Sequence, residues 1–190
     1  MLDDNGTLVP DTTFIRWHLE QKHGIDFDTA LSPGEKATAW AFEKLCEDHL
    51  YWGTVYTRWM IDENFDKGPR HFFKAAPALV RPAIVAMVRR DVRRNLHGQG
   101  FGRHTQSDIE KLMVHGIHAL ADFLGDKPFL MGEQPCGADA TAFAWVGSFL
   151  CPVFDGVILE TARAHPNLVA YRDRGLARWF PRMNPAMQAG

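Results

Sequence analysis

An acid and a hydroxyl stand side by side at Asp11-Thr12, just after Pro10, and Phe14, Ile15 and Leu19 follow at helical spacing until Gly24. Such a pair at a helix start can do two kinds of chemistry. It can cap the helix, its side-chain oxygens accepting the free first-turn N–H groups. It can also bind a zwitterion, because the hydroxyl and the backbone N–H groups suit a carboxylate while the acid suits an ammonium. Spacing alone leaves both readings open.

Other constellations are weighed in the same way. Ala41, Leu45, Trp52, Tyr56 and Trp59 fall on neighbouring helical turns, an aromatic face that reads first as core, above all at Leu45 and Trp52. His115 and His118 lie three apart, with only Asp122 as an acid on the next turn. Zinc needs further ligands, so no metal site is expected. Gly98, Gly100 and Gly102 suggest a nucleotide loop, but a dinucleotide fingerprint follows a strand and these follow a helix. Arg89, Arg90, Arg93 and Arg94 close that helix, where cations complement the dipole, and they read as a solvated face rather than a nucleic-acid site.

The elements that must position these groups are mostly helical. Leu2 to Val9 reads as two short strands joined at Asn5-Gly6, leading into the helix that begins at Asp11-Thr12. Two dozen residues of this kind cannot form a domain alone. Ser32 and Glu35 form a capping box with Pro33 in the first turn, and the helix they open is expected to reach about Asn64, before Gly68-Pro69. Further helices are expected up to about Leu96, from Thr105 to Leu124, and from Pro166 to about Trp179. Between the last two, Ala140 to Leu150 carries only Thr141 and Ser148 as polar residues, and Asp139 sits in its first turn. A helix apolar on every side is expected at the centre of a bundle, its start fixed by a buried acid.

Composition narrows the class. Apolar residues at 46% and charged residues at 23% suit an ordinary soluble globular chain, and a net charge of −2 offers nucleic acid no bulk attraction. Cys46, Cys136 and Cys151 form no CxxC pair, which argues against a disulfide framework and for a reducing, cytoplasmic compartment. The apolar run from Ala140 to Phe154 is shorter than the roughly 20 residues a bilayer requires, so no membrane partner is expected.

Several of these segments together resemble the glutathione transferase superfamily, in its failed-axon-connections and metaxin branch. The central segment 129–150 resembles the capped inner helix of that family's all-helical half, with Cys136 where the family places Ser or Thr. The loop Gly100-Phe101-Gly102-Arg103 and the run from His165 to Tyr171 match that half as well. The resemblance implies a mainly α fold: a helical C-terminal domain over 32–190, preceded at 1–27 by the final hairpin and helix of a thioredoxin-like domain. It implies that Thr12 takes the γ-glutamyl carboxylate of glutathione, that Asp11 helps to hold the amine, and that the face from Trp40 to Tyr56 lines the pocket of a small hydrophobic electrophile. The family's thiol-activating residue lies upstream of the hairpin, so the catalytic residue is unknown and most of the thioredoxin-like half is expected to be missing. The functions implied are glutathione conjugation, if upstream residues complete the chain, or a non-catalytic helical interaction module. A homodimer is implied by analogy with the superfamily.

Overall fold

The computed structural model describes residues 1–183; the last seven residues, which include the polar tail ending the expected 32–190 domain, lie outside the described residues. Strand β1 (Leu2–Asp4) pairs antiparallel with β2 (Thr7–Val9), with Leu2 opposite Val9. Asn5 and Gly6 both take positive φ, the geometry that lets a two-residue turn follow the twist of its strands. Helix α1 (Thr12–His23) starts at Asp11, whose carboxylate accepts the Thr13 N–H, and stops at Gly24 in the left-handed conformation. His18 Nε2 lies 2.7 Å from Asp4 Oδ2 and Lys22 pairs with the same carboxylate, so α1 holds the hairpin.

Helix α2 (Pro33–Lys44) has both bonds of the Ser32–Glu35 capping box. It passes through a π-helical stretch, Leu45–Leu50, into α3 (Tyr51–Met60). The chain then breaks at Ile61, which is extended, before α4 (Asp62–Lys67). The single helix expected to about Asn64 is therefore two. Arg89 supplies the reason: its guanidinium donates to the Trp59 and Met60 carbonyls and to the Asp62 carboxylate. It thus satisfies carbonyls that continuation of the helix would have paired. A 3₁₀ turn, Pro69–Phe73, leads to α5 (Arg81–Gln99). Helix α6 (Gln106–Leu124) follows, capped by Thr105.

The core lies between α6, the Leu45–Leu50 stretch and α7 (Gly137–Phe149), closed below by α8 (Val157–Arg163) and α9 (Pro166–Trp179). Ile109, Met113, Ile117 and Leu120 are fully covered there together with Leu50, Val146 and Leu168. Each such side chain contributes about 1.5–3 kcal/mol on burial. Close approach depends on two glycines. A Cβ at Gly116 would stand 2.6 Å from Leu50 Cδ2, and one at Gly53 would stand 2.0 Å from Met113 Sδ.

Asp139 is 0% exposed. Its carboxylate accepts the Leu130 and Cys136 N–H groups, each at 2.8 Å, and the Tyr171 hydroxyl at 2.7 Å. One acid therefore ties the turn before α7, the start of α7 and α9 together, as its place in the sequence implied. The expectation that neighbours surround α7 holds only in part. Ala138, Ala142, Val146 and Phe149 are buried, but Ala140 and Ala144 are exposed. Helix α1 stands off that side of α7 and leaves an opening.

Candidate functional site

That opening is a cavity of about 590 Å³. Thr12, Ile15, Arg16 and Leu19 of α1 form one wall, and Phe27 adds to it from the following loop. Pro135, Cys136, Gly137, Ala140, Phe143 and Ala144 form the floor, and Trp179 and Phe180 close the far end. Local sequence places each wall. Thr12, Ile15, Arg16 and Leu19 are spaced by three and four, which puts them on one face of α1. Ala140, Phe143 and Ala144 repeat that spacing on α7. A mostly apolar cavity with a few polar groups at one edge suits a small ligand with one charged or polar end.

The polar edge is an ionic network. Arg16 Nη2 lies 2.5 Å from Asp28 Oδ2, Arg16 Nε 2.9 Å from Glu20 Oε1, and Arg16 Nη1 3.6 Å from Glu43 Oε2. The other oxygen of Asp28 accepts the Gly137 N–H at 2.8 Å, so one carboxylate joins α1 to the start of α7. Burial opposes the charge on Arg16, but Asp28 and Glu20 outweigh it and raise its pKa above the ordinary value. Its three carboxylate neighbours neutralise it, so Arg16 fixes the position of the wall more than it offers charge to a ligand.

Beside this network, Glu47 of the π-helical stretch accepts hydrogen bonds from Thr12 Oγ1 at 3.2 Å and Thr141 Oγ1 at 3.3 Å, and pairs with Lys44 at 2.6 Å. The Thr12 hydroxyl proton is thereby committed to Glu47, and its oxygen remains free to accept from a donor. The first-turn N–H groups of α1 have no intrahelical partners, and the Asp11 side chain takes only that of Thr13, at 2.8 Å. Asp11 holds φ at 67° with ψ at 143°, outside the left-handed helical well and strained for a residue with a side chain.

Cys136 lies in the cavity floor. Burial, with Asp139 nearby, pushes its thiol up to about 12, so it is a neutral thiol at physiological pH and not a nucleophile. Cys46, buried beneath, is likewise pushed up to about 12 by burial and by Glu47 and Glu43.

Thr12 lines the cavity, with Asp11 just before it at the start of α1, whereas Trp40 and Tyr56 stand outside the lining. Trp40 is exposed, stacked on Trp17 with ring centroids 6.2 Å apart, and has Lys44 Nζ 4.4 Å above its ring. Tyr56 is half-buried against the core. His115 and His118 line a shallow depression with Glu110 and Val157, and the His118 ring meets that of His165 at 4.9 Å. Among the described residues, no group of three or more potential ligands could hold a metal ion. Arg16, Phe143 and Phe180 were not anticipated as site residues. The spacing of Thr12, Arg16 and Leu19 was the available signal for the first, whereas nothing local links α7 to the end of α9.

Comparison with known proteins bears on the chain as a whole. A family model described as the glutathione S-transferase N-terminal domain matches residues 1–64, and one described as the glutathione S-transferase C-terminal domain matches residues 114–175. The first match extends well beyond residue 27 and lends no support to the expectation that most of that domain is missing. An isoprene-epoxide–glutathione S-transferase from Rhodococcus sp. (strain AD45) is 30% identical over 176 residues, covering 92% of this chain and 74% of that protein. Failed axon connections of Drosophila melanogaster is 26% identical over 74% of this chain and 36% of its own length. A metaxin-1 homolog of Caenorhabditis briggsae is 24% identical over 93% of this chain and 57% of its own length. No solved structure gives a significant match. Among the described residues, no helix is long and apolar enough to cross a membrane.

Proposed function

Because the chain belongs to the glutathione S-transferase superfamily, we propose that it uses glutathione as co-substrate and joins it to a small apolar electrophile at the cavity between α1 and α7. The observation that carries this reading is the coincidence of Thr12 and the free first turn of α1 with the rim of an apolar cavity of about 590 Å³. The γ-glutamyl carboxylate meets the unpaired N–H groups of that turn, and its ammonium meets Asp11 and the Thr12 oxygen. A strained ring such as an epoxide suits the cavity, since it is apolar and small, and the relative from Rhodococcus is named for such a substrate.

The chain's own residues would bind and orient the two partners and exclude water. The reaction is attack of the glutathione sulfur on an electrophilic carbon, with the released electron pair taken up by oxygen and then a proton. Among the described lining residues, Arg16 is tied to three carboxylates, the Thr12 hydroxyl is donated to Glu47 and Cys136 is held neutral, so the thiol-activating residue stays unassigned. In the same proposal, residues 1–27 belong to the glutathione-binding domain and the helical unit begins at Ser32. Trp40 and Tyr56 stand outside this cavity and have no part in this reading.

The test is calorimetric titration of glutathione into the purified chain, followed by assay with short-chain epoxides. Millimolar or tighter binding that weakens on Thr12→Val supports the reading; no binding at cellular glutathione levels sinks it. A second reading, a non-catalytic interaction module acting as a cytoplasmic homodimer, is favoured by one observation. Phe14, Trp17 and Trp40 form an exposed aromatic stack across α1 and α2.

A further inference from the structure

Charge is distributed unevenly along the chain. Between Lys67 and Arg94 stand eight lysines and arginines with a single acid, Asp91, although the whole chain is net −2. Some of these cations have structural partners: Arg89 closes α3, and Arg81 donates to the Lys74 and Ala76 carbonyls. Among the described residues, Arg90 and Arg93 have no ion-pair partner. Both lie on the outer face of α5.

That face has two unlike ends. At 100° per residue, Ala83 and Met87 fall on the same side as Arg90 and Arg94, and Leu79 and Val80 immediately precede the helix. All six are exposed. Leu79 is 94% exposed and Met87 58%, and Phe72, in the 3₁₀ turn before them, is 76% exposed. No carboxylate occurs between Lys67 and Arg90. Arg94 pairs with Asp91 at 3.2 Å, but an apolar tip followed by the unpaired Arg90 and Arg93 is the pattern of a helix that lies at a membrane surface, with apolar side chains below the headgroups and guanidinium groups on the phosphates.

We propose that the α5 face from Phe72 to Arg94 docks on an anionic lipid bilayer as a peripheral contact. The complement it needs is negative charge next to an apolar layer, which an anionic leaflet provides and a nucleic acid does not. Leu79, Val80, Met87 and Phe72 enter the interfacial layer; Lys74, Arg90 and Arg93 meet the lipid phosphates. This contact is separate from the α1–α7 cavity and holds whether or not that cavity binds glutathione.

The test is co-sedimentation of the full chain with vesicles of phosphatidylcholine alone and with vesicles containing phosphatidylserine. Binding is expected only to the anionic vesicles and should fall with added salt. Each arginine removed should weaken it roughly fivefold, so Arg90→Glu with Arg93→Glu should cost at least about 25-fold. Leu79→Ser with Met87→Ser should weaken it while leaving the circular dichroism unchanged, since these side chains are already solvated. The proposal is overturned if anionic vesicles do not bind, or if either pair of substitutions leaves binding intact. It is equally overturned if the arginine pair abolishes a dimer seen by sedimentation, which would give the face to a second copy.

Discussion

The guanidinium of Arg16 fills the space that a side chain at position 137 would need. A Cβ built on Gly137 would lie 2.1 Å from Arg16 Nη1. The same guanidinium is held by Asp28, whose second oxygen accepts the Gly137 N–H. Gly137→Ala is therefore expected to push the end of the arginine off Asp28 and to cost about 1–2 kcal/mol, because a flexible side-chain tip can move. In an Arg16→Ala background the same change should be nearly neutral. A double-mutant cycle by urea denaturation measures this, and equal costs in both backgrounds would show that the two positions are independent.

Asp139 and Tyr171 make the corresponding joint inside the helical unit. Tyr171→Phe removes one partner of the buried carboxylate and is expected to destabilise by about 1–2 kcal/mol. Asp139→Ala strands three donors at once, two N–H groups and the hydroxyl, and should cost about 3–5 kcal/mol or prevent folding. Thermal unfolding of both variants gives the order, and an Asp139→Ala protein as stable as Tyr171→Phe would contradict it.

How far the sequence alone led follows from where each signal resides. The hairpin turn at Asn5-Gly6, the cap at Asp11, the box at Ser32–Glu35 and the acid at Asp139 are local signals, each contained within a few residues, and each stands where its residues put it. The break at Ile61 was not legible, because Arg89, which satisfies the carbonyls there, is almost thirty residues away. The open side of α7 was hidden for a related reason. A run such as Ala140–Leu150 states that no face is polar, but a small apolar cavity and a packed neighbour make the same demand on composition. The network of Arg16, Asp28, Glu43 and Gly137 joins three distant segments by charges that each look like ordinary surface residues.

Cys136 provides a test in which pH and reactivity move together. Burial and Asp139 hold its thiol at about 12 against an ordinary 9.0, so the folded protein keeps this proton where the unfolded chain has released it. The contribution to stability is complete below 9.0 and is lost as pH climbs towards about 12. Iodoacetamide at mildly alkaline pH should label Cys136 in the native protein slower than in urea by about two orders of magnitude or more, as read by peptide mapping. Cys136→Ser gives the start of α7 a better acceptor and is expected to stabilise by about 0.5–1 kcal/mol. Rapid native labelling would mean that the thiol is ionised and available in the cavity.

Glu43 carries the clearest acid-range prediction. Its side chain is only 5% exposed, and its cationic neighbours are not close: Arg16 at 3.6 Å and Lys44 at 3.9 Å. Burial, then the charge of Glu47, raises its pKa above 4.5, with Asp28 adding to the rise and Lys44 and Arg16 opposing it. A carboxyl with a raised folded pKa stabilises most below its unfolded value, and that contribution is lost as pH rises through the folded one. Glu43→Gln keeps the shape and removes the titration. The stability of the variant minus that of the parent should therefore grow as pH rises from about 4.5 and level off near neutrality, leaving the variant the more stable protein. Arg16 retains Asp28 and Glu20, and Lys44 retains Glu47, so neither cation is stranded by the change. Urea denaturation across that pH range decides the matter: a difference that is flat, or that runs the other way, would mean that Arg16 and Lys44 hold Glu43 ionised at no net cost.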